Sequence, residues 1–234
     1  MKLGLSKAKN PDRFDFVLIA LLVLMMASSL FSIAATSGII GADESMGFII
    51  RQAAFFIGGF IVIGILHYIG NDSLFQFAKI GYWILIGCLV ILLIGHIYNK
   101  MTGSPTNQLF LGFILTSNGA TSWFSFPGIG SFQPSEYMKI VLVIITANII
   151  DEHNQNKIND SFEMDFELFI EIFKWVLPPM FLIFLQPDTG ICIIIAISIL
   201  AMVLCSGIRK EWIFILVGLL LFAILIFTFL YVYH

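Results

Sequence analysis

FVLIALLVLMMASSLFSIAAT, residues 16–36, runs for 21 positions without a charge. As a helix it would extend about 31 Å, which matches the hydrocarbon thickness of a bilayer. It is apolar on every face, so it predicts a membrane-spanning helix rather than an amphipathic one. The whole composition agrees. Of 234 residues, 59% are hydrophobic and only 12% charged, with 24 Phe and a mean hydropathy of +0.98; soluble domains average about 25% charged. A water-soluble fold is excluded. Lys2, Lys7, Lys9 and Arg13 give the chain the basic start of a secretory leader. The apolar run is too long for one and others follow it, so a retained helix is predicted.

Working outward from that run, the chain divides into seven predicted spans: 16–36, 48–69, 80–97, 132–150, 168–185, 189–206 and 212–233. At about 20 residues per crossing they use about 140 positions, close to the full apolar inventory. No separate soluble domain fits, and residues 1–234 read as one integral membrane domain, an all-α polytopic helix bundle. The stretch 98–131 is polar, apart from LFLGFIL at 109–115, which is too short to cross and is predicted to lie at the interface. With the N-terminus cytoplasmic, nine Lys and Arg fall inside (Lys2, Lys7, Lys9, Arg13, Lys79, Lys157, Lys174, Arg209, Lys210) and two outside (Arg51, Lys100). The positive-inside bias therefore predicts a cytoplasmic N-terminus and an exterior 98–131 loop.

Several functions are excluded or disfavoured. The basic residues are dispersed and the net charge is −3, so nucleic acid is not an expected partner. Cys88, Cys192 and Cys205 are odd in number and lie within apolar runs, which argues against a disulfide framework or a metal knuckle. His67 and His96 have no partner at a metal-ligand spacing and read as interfacial packing. Glu163, Asp165, Glu167 and Glu171 form an acidic stretch of the kind that is usually solvated. No P-loop, HExxH or GxSxG occurs.

Two Gln-Pro segments at the outer border carry the chemistry-bearing residues. In FQPSEYMK, Pro134 opens a helix where its missing N–H costs nothing, and Glu136 lies in the first turn, where the macrodipole favours an anion. Lys139 follows at i+3, on the same face. Charges at that depth usually face the bundle interior or a polar cavity. A self-neutralising pair on a capped helix, its Lys snorkelling outward, is the simpler alternative. In LQPDTG at 185–190, Asp188 is placed to cap the next helix. Upstream, Pro178 and Pro179 interrupt a span and free backbone carbonyls. A kink is the minimal consequence, but broken helices also occur in transporter binding sites.

NGATSWF, then FQPSEYMK, then LQPDTG, in that order and at these distances, resemble the SEDS family (RodA, FtsW, SpoVE) of bacterial wall-building membrane proteins. Arg51 and Gln52 resemble a further basic-Gln element, and the likeness covers the chain from about Asp15 onward. The resemblance implies a peptidoglycan glycosyltransferase of the plasma membrane. Such an enzyme polymerises lipid II at the outer face and releases undecaprenyl pyrophosphate, with a class B penicillin-binding protein as transpeptidase partner. It further implies that Arg51, Gln52, Trp123, Gln133, Pro134, Ser135, Glu136, Lys139, Gln186, Pro187, Asp188 and Gly190 form substrate-binding or structural motifs. On this basis Lys139, with Arg51, is expected to stabilise charge on the departing pyrophosphate while Glu136 orients Lys139. No resident cofactor or protein metal site is expected, although a divalent cation bridging pyrophosphate oxygens would be chemically sensible.

There are two departures from the family pattern. Relatives have about ten spans, with the presumed catalytic Asp in a large outer loop after span seven, and this sequence stops at His234. The sequence is therefore expected to be an N-terminal portion, without the catalytic residue and inactive as a polymerase by itself. In addition, Thr121 and Ser122 precede Trp123 where many relatives carry basic residues, which leaves a simple interfacial anchor as an equal reading of Trp123. The short N-terminal tail leans toward the elongation type. A transporter of lipid-linked precursor and a non-catalytic scaffold that docks a penicillin-binding protein remain the alternative functions.

Overall fold

The computed structural model describes residues 16–36, 42–69, 71–103, 113–117, 120–126, 130–156 and 162–218. They group into two compact units, 1–70 and 71–234. In chain order the elements are α1 (Phe16–Ala35), α2 (Ala42–Ile69), α3 (Asn71–Thr102), β1 (Ile114–Ser117), β2 (Ala120–Phe126), β3 (Gly130–Phe132), α4 (Pro134–Asn156), α5 (Phe162–Leu185) and α6 (Thr189–Leu204). A final described helix, α7, covers 210–218.

The first unit is the pair α1 and α2. Both are long and apolar enough to cross a bilayer, yet none of their membrane-length windows is buried inside the protein. Faces this apolar suit a lipid environment. Polar contacts between them are sparse: Gln52 Nε2 donates to Ser29 Oγ at 3.4 Å, and Ser45 Oγ to the Ile33 carbonyl at 3.4 Å.

In the second unit, α3, α4, α5 and α6 pack around one apolar core, each through a stripe at helical spacing. The stripe on α3 is Ala78, Tyr82, Leu85, Leu89 and Leu92; that on α5 is Asp165, Leu168, Phe169, Ile172, Val176, Pro179 and Ile183. The opposite face of α5 presents Phe166, Ile170, Phe173, Leu177, Phe181 and Phe184 outward, as a lipid-facing surface must. Four described helices have the length and composition of spans: α1, α2, α3 and α5. The expected fourth span is a helix of full length, α4, but Glu136, Lys139, Asp151 and Glu152 make it more polar. The sixth is the 16-residue α6, which would extend about 24 Å. Of the seventh, 212–233, only the portion to residue 218 lies within the described residues. The third span is longer than expected, because the helix continues through the polar residues around Lys79, whose ammonium sits 4.2 Å from the Phe75 ring centroid.

The expected loop at 98–131 contains a three-stranded antiparallel sheet in the order β1-β2-β3. Leu115 faces Trp123 across one hairpin, and Phe124 faces Phe132 across the other. The apolar patch is thus partly a strand: Ile114 is buried in β1, and 109–112 lie outside the described residues. His96 Nδ1 meets Thr121 Oγ1 at 3.2 Å, so this His is a tie between α3 and β2 rather than interfacial packing alone. The side chain of His67 lies outside the described residues.

Helix α5 runs unbroken through Pro178 and Pro179. Pro179 has no N–H for the carbonyl four residues earlier, that of Trp175. The Tyr82 hydroxyl, from α3, donates to that carbonyl at 3.0 Å, and the Tyr82 and Trp175 rings meet edge to face at 4.9 Å. The carbonyl freed by Pro179 is thus satisfied from a neighbouring helix. Tyr82→Phe should therefore lower stability by about 1 kcal/mol, within the range for interhelical bonds in membranes. In a Pro179→Ala background, where the restored N–H can serve Trp175, the same change should cost nothing. Thermal unfolding of the four variants in one detergent checks both.

Candidate functional site

The two Gln-Pro segments meet at the end of the second unit where the sheet, the start of α4 and the start of α6 converge. Gln133 precedes Pro134 and its carbonyl accepts the Glu136 N–H at 3.1 Å, which closes the first turn of α4. Glu136 Oε2 then holds Lys139 Nζ at 2.5 Å. Both are partly exposed, with 42% of the Glu136 side chain and 29% of the Lys139 side chain accessible. A tethered ammonium that still faces outward can accept an anion without first being desolvated.

A cleft of about 320 Å³ lies over this pair, lined by Trp123, Ser131, Gln133, Glu136, Tyr137, Lys139 and Ile140. It brings together four of the residues singled out in the sequence: Trp123, Gln133, Glu136 and Lys139. The sheet places one wall. β2 carries Trp123, and the Phe132 ring, at the end of β3, packs on Tyr137 at 4.8 Å. Ser131 and Tyr137 were missed in the sequence; the alternation of a strand running into FQPSEY was their one signal. Thr121 and Ser122, which stand before Trp123, are buried and do not line the cleft.

Gln186 and Asp188 lie beneath. Gln186 is fully buried and its Nε2 donates to the Leu89 carbonyl of α3 at 2.8 Å. Asp188 occupies the N-cap position of α6, but its side chain makes no cap hydrogen bond. This corrects the expectation of a capping role. Asp188 Oδ2 instead accepts from Gln133 Nε2 at 2.6 Å and stands 3.5 Å from Ser135 Oγ. The physical reason is burial: Gln133 and Ser135 are 7% and 2% exposed, and a buried amide or hydroxyl without a partner costs more than a forgone cap. Pro134 is buried at the start of α4, and Gly190, in the first turn of α6, is exposed.

Arg51 and Gln52 belong to the first unit. Arg51 is exposed, and Gln52 lines a cleft of about 290 Å³ with Leu22, Phe55, Phe56, Gly59, Phe60 and Ile63.

Among the described residues no group of three or more His, Cys, Asp or Glu stands close enough to hold a metal. The two carboxylates of the site are already engaged, Glu136 by Lys139 and Asp188 by Gln133.

At the opposite end of the same unit the acidic stretch departs from expectation. Asp165 is completely buried rather than solvated. Its Oδ2 accepts the Arg209 backbone N–H at 3.1 Å, and its Oδ1 lies 3.6 Å from His153 Nε2 of α4. Asn154 Nδ2 adds a bond to the Ser206 carbonyl at 3.0 Å. One carboxylate thus ties α4, α5 and the α6–α7 connection together. Its signal was the apolar stripe of α5, which includes position 165.

The family model of FtsW, RodA and SpoVE, described as "Cell cycle protein", matches residues 13–234. The chain is 30% identical over 174 residues to the probable peptidoglycan glycosyltransferase FtsW of Lactococcus lactis, covering 70% of this chain and 38% of that protein. It is 27% identical over 192 residues to the peptidoglycan glycosyltransferase MrdB of Helicobacter pylori, covering 79% and 43%. Among solved structures, a variant of the rod shape determining protein RodA of Thermus thermophilus superposes with a TM-score of 0.63 at 22% identity, over 91% of this chain and 59% of that one. The chain therefore spans about two-fifths of the length of these curated relatives.

Proposed function

Because this chain belongs to the FtsW/RodA/SpoVE family of cell cycle proteins, a family of multi-pass membrane proteins, we propose that it acts in bacterial cell-wall synthesis. In this reading it supplies the outer-face cleft in which a peptidoglycan glycosyltransferase holds the diphosphate of lipid II.

The observation that carries the reading is the Glu136–Lys139 pair on the wall of a cleft beside Trp123 and Tyr137. Glycan transfer from lipid II breaks the bond between the anomeric carbon and the diphosphate, so negative charge grows on the departing group. An ammonium beside it stabilises that charge. Lys139 is a compact point charge on a flexible stem, and Glu136 restricts it to one side of the cleft. The aromatic side chains offer apolar faces of the kind a sugar ring packs on. Glu136, already bound to Lys139, is not assigned the task of taking the acceptor hydroxyl's proton.

The outer position rests on the positive-inside count, with the N-terminus cytoplasmic. A class B penicillin-binding protein is the proposed partner, by analogy with the family, and co-purification from membranes tests it. Transport is disfavoured by one observation: the carbonyl freed by Pro179 is taken by Tyr82, so it does not line a path. Reconstituted in vesicles, the chain should not accelerate exchange of labelled polyprenyl diphosphate between leaflets. It should bind that lipid more tightly than the monophosphate. Rapid exchange with no such preference would favour the transporter.

A further inference from the structure

A carboxylate at a helix N-cap normally turns back onto the free N–H groups of its own helix. Asp188 does not: it leaves the start of α6 uncapped and reaches across to the segment that opens α4. Its short bond to Gln133 Nε2, at 2.6 Å, is charge-assisted and directional. Gln133 and Ser135 flank Pro134, and the Gln133 carbonyl closes the turn that carries Glu136. Lys139 lies one turn further on and is held by Glu136. An unbroken chain of bonds therefore leads from Asp188 to the Lys139 ammonium, although Asp188 is not among the residues that line the cleft.

We propose that Asp188 is a positioning residue: by gripping Gln133 and Ser135 it fixes the first turn of α4, and so aims the Glu136–Lys139 pair into the cleft. The inference rests on reading the cleft as a diphosphate site. Without the grip, the first turn of α4 loses its side-chain anchor and frays, and the ammonium loses its fixed place. A purely structural role for Asp188, satisfying two buried polar groups, would leave ligand preference unchanged.

The test uses the whole chain in lipid nanodiscs, with Asp188→Ala, Asp188→Asn, Lys139→Ala and the Asp188→Ala/Lys139→Ala double variant. Two quantities are read: hydrogen exchange of the amides at 135–139, and affinity for undecaprenyl diphosphate against undecaprenyl monophosphate. Asp188→Ala should speed exchange at 135–139 by about tenfold or more while α5 stays protected, since opening is local. Diphosphate affinity should fall by about tenfold and monophosphate affinity by less than about twofold; in the Lys139→Ala background Asp188→Ala should cost nothing further. Asp188→Asn, which keeps an acceptor for Gln133, should restore most of both. If Asp188→Ala does not fold, Gln133→Leu removes the same bond and should give the same pattern.

Normal exchange at 135–139 in a folded Asp188→Ala protein would overturn the proposal. So would full diphosphate affinity in that variant while Lys139→Ala loses it. If the unaltered chain does not prefer diphosphate over monophosphate, the reading of the cleft fails. The exchange measurement then still decides whether Asp188 holds the turn.

Discussion

Lys139→Ala should weaken binding of undecaprenyl diphosphate by about 30-fold, equivalent to about 2 kcal/mol, the loss expected when a charged hydrogen-bond partner is removed at a partly desolvated site. The size follows from the setting. An exposed Lys on a helix contributes little, because water and salt screen it. Lys139 is instead held by Glu136 on the wall of a cleft, with less than a third of its side chain accessible, so its charge is screened less and is already oriented. Glu136→Gln removes the tether and leaves the ammonium, so binding should fall by less than about fivefold. Lys139→Arg keeps the charge but changes its shape and reach, and should fall between the two. Titration of the labelled lipid into nanodiscs carrying each variant measures the order. Equal affinity for all four proteins would remove Lys139 from the site.

Part of this site is legible in the sequence alone. The i to i+3 spacing of Glu136 and Lys139 fixes their shared face wherever the helix lies, and FQPSE with QPDTG identifies the family. What could not be read was the contact between those two segments. They stand 55 positions apart at Gln133 and Asp188, and local rules favoured a cap for Asp188 because they count only the N–H groups of its own helix. The partner that won was buried and distant in sequence. The sheet was missed for a different reason. Asn118–Gly119 between alternating residues is a strong hairpin signal, and strands lie on either side of it, but in so apolar a chain the 98–131 stretch reads first as a polar connection. Asp165 was hidden by composition in the same way. Its acidic neighbours suggested a solvated run, whereas its register with Leu168, Ile172 and Val176 places it inside.

Asp165→Ala should destabilise the second unit by about 1–3 kcal/mol, the cost of leaving a buried donor without its acceptor. The Arg209 N–H would be left without its acceptor, and a gap would open beside His153, where α4, α5 and the α6–α7 connection meet. Compensation by an alternative partner is limited, since water does not readily reach a fully buried carboxylate. For a chain of this length, about 3 kcal/mol corresponds to a fall of about 6–12 °C in melting temperature. Asp165→Asn keeps an acceptor for the Arg209 N–H and should lose less than half as much. The two aromatic partners of the same end, Phe162 and Trp212, whose rings stack at 4.3 Å, should report the change through Trp fluorescence before global unfolding. Equal melting of Asp165→Ala and the unaltered protein would mean that the carboxylate ties nothing together.

The cleft beside Glu136 and Lys139 is expected to open at the outer membrane face and there to receive a diphosphate lipid. Tyr137 forms part of its wall and is half-exposed, while Cys205 is exposed at the far end of α6. The direct measurement is labelling by a membrane-impermeant maleimide, applied to intact cells. One protein carries Tyr137→Cys with Cys88, Cys192 and Cys205 replaced by Ala; the other keeps native Cys205. The expected result is rapid labelling at position 137, slowed by added undecaprenyl diphosphate but not by the monophosphate, and no labelling of Cys205 until the cells are opened. Labelling of Cys205 from outside with position 137 protected, or labelling at 137 that the diphosphate lipid leaves unchanged, would contradict it.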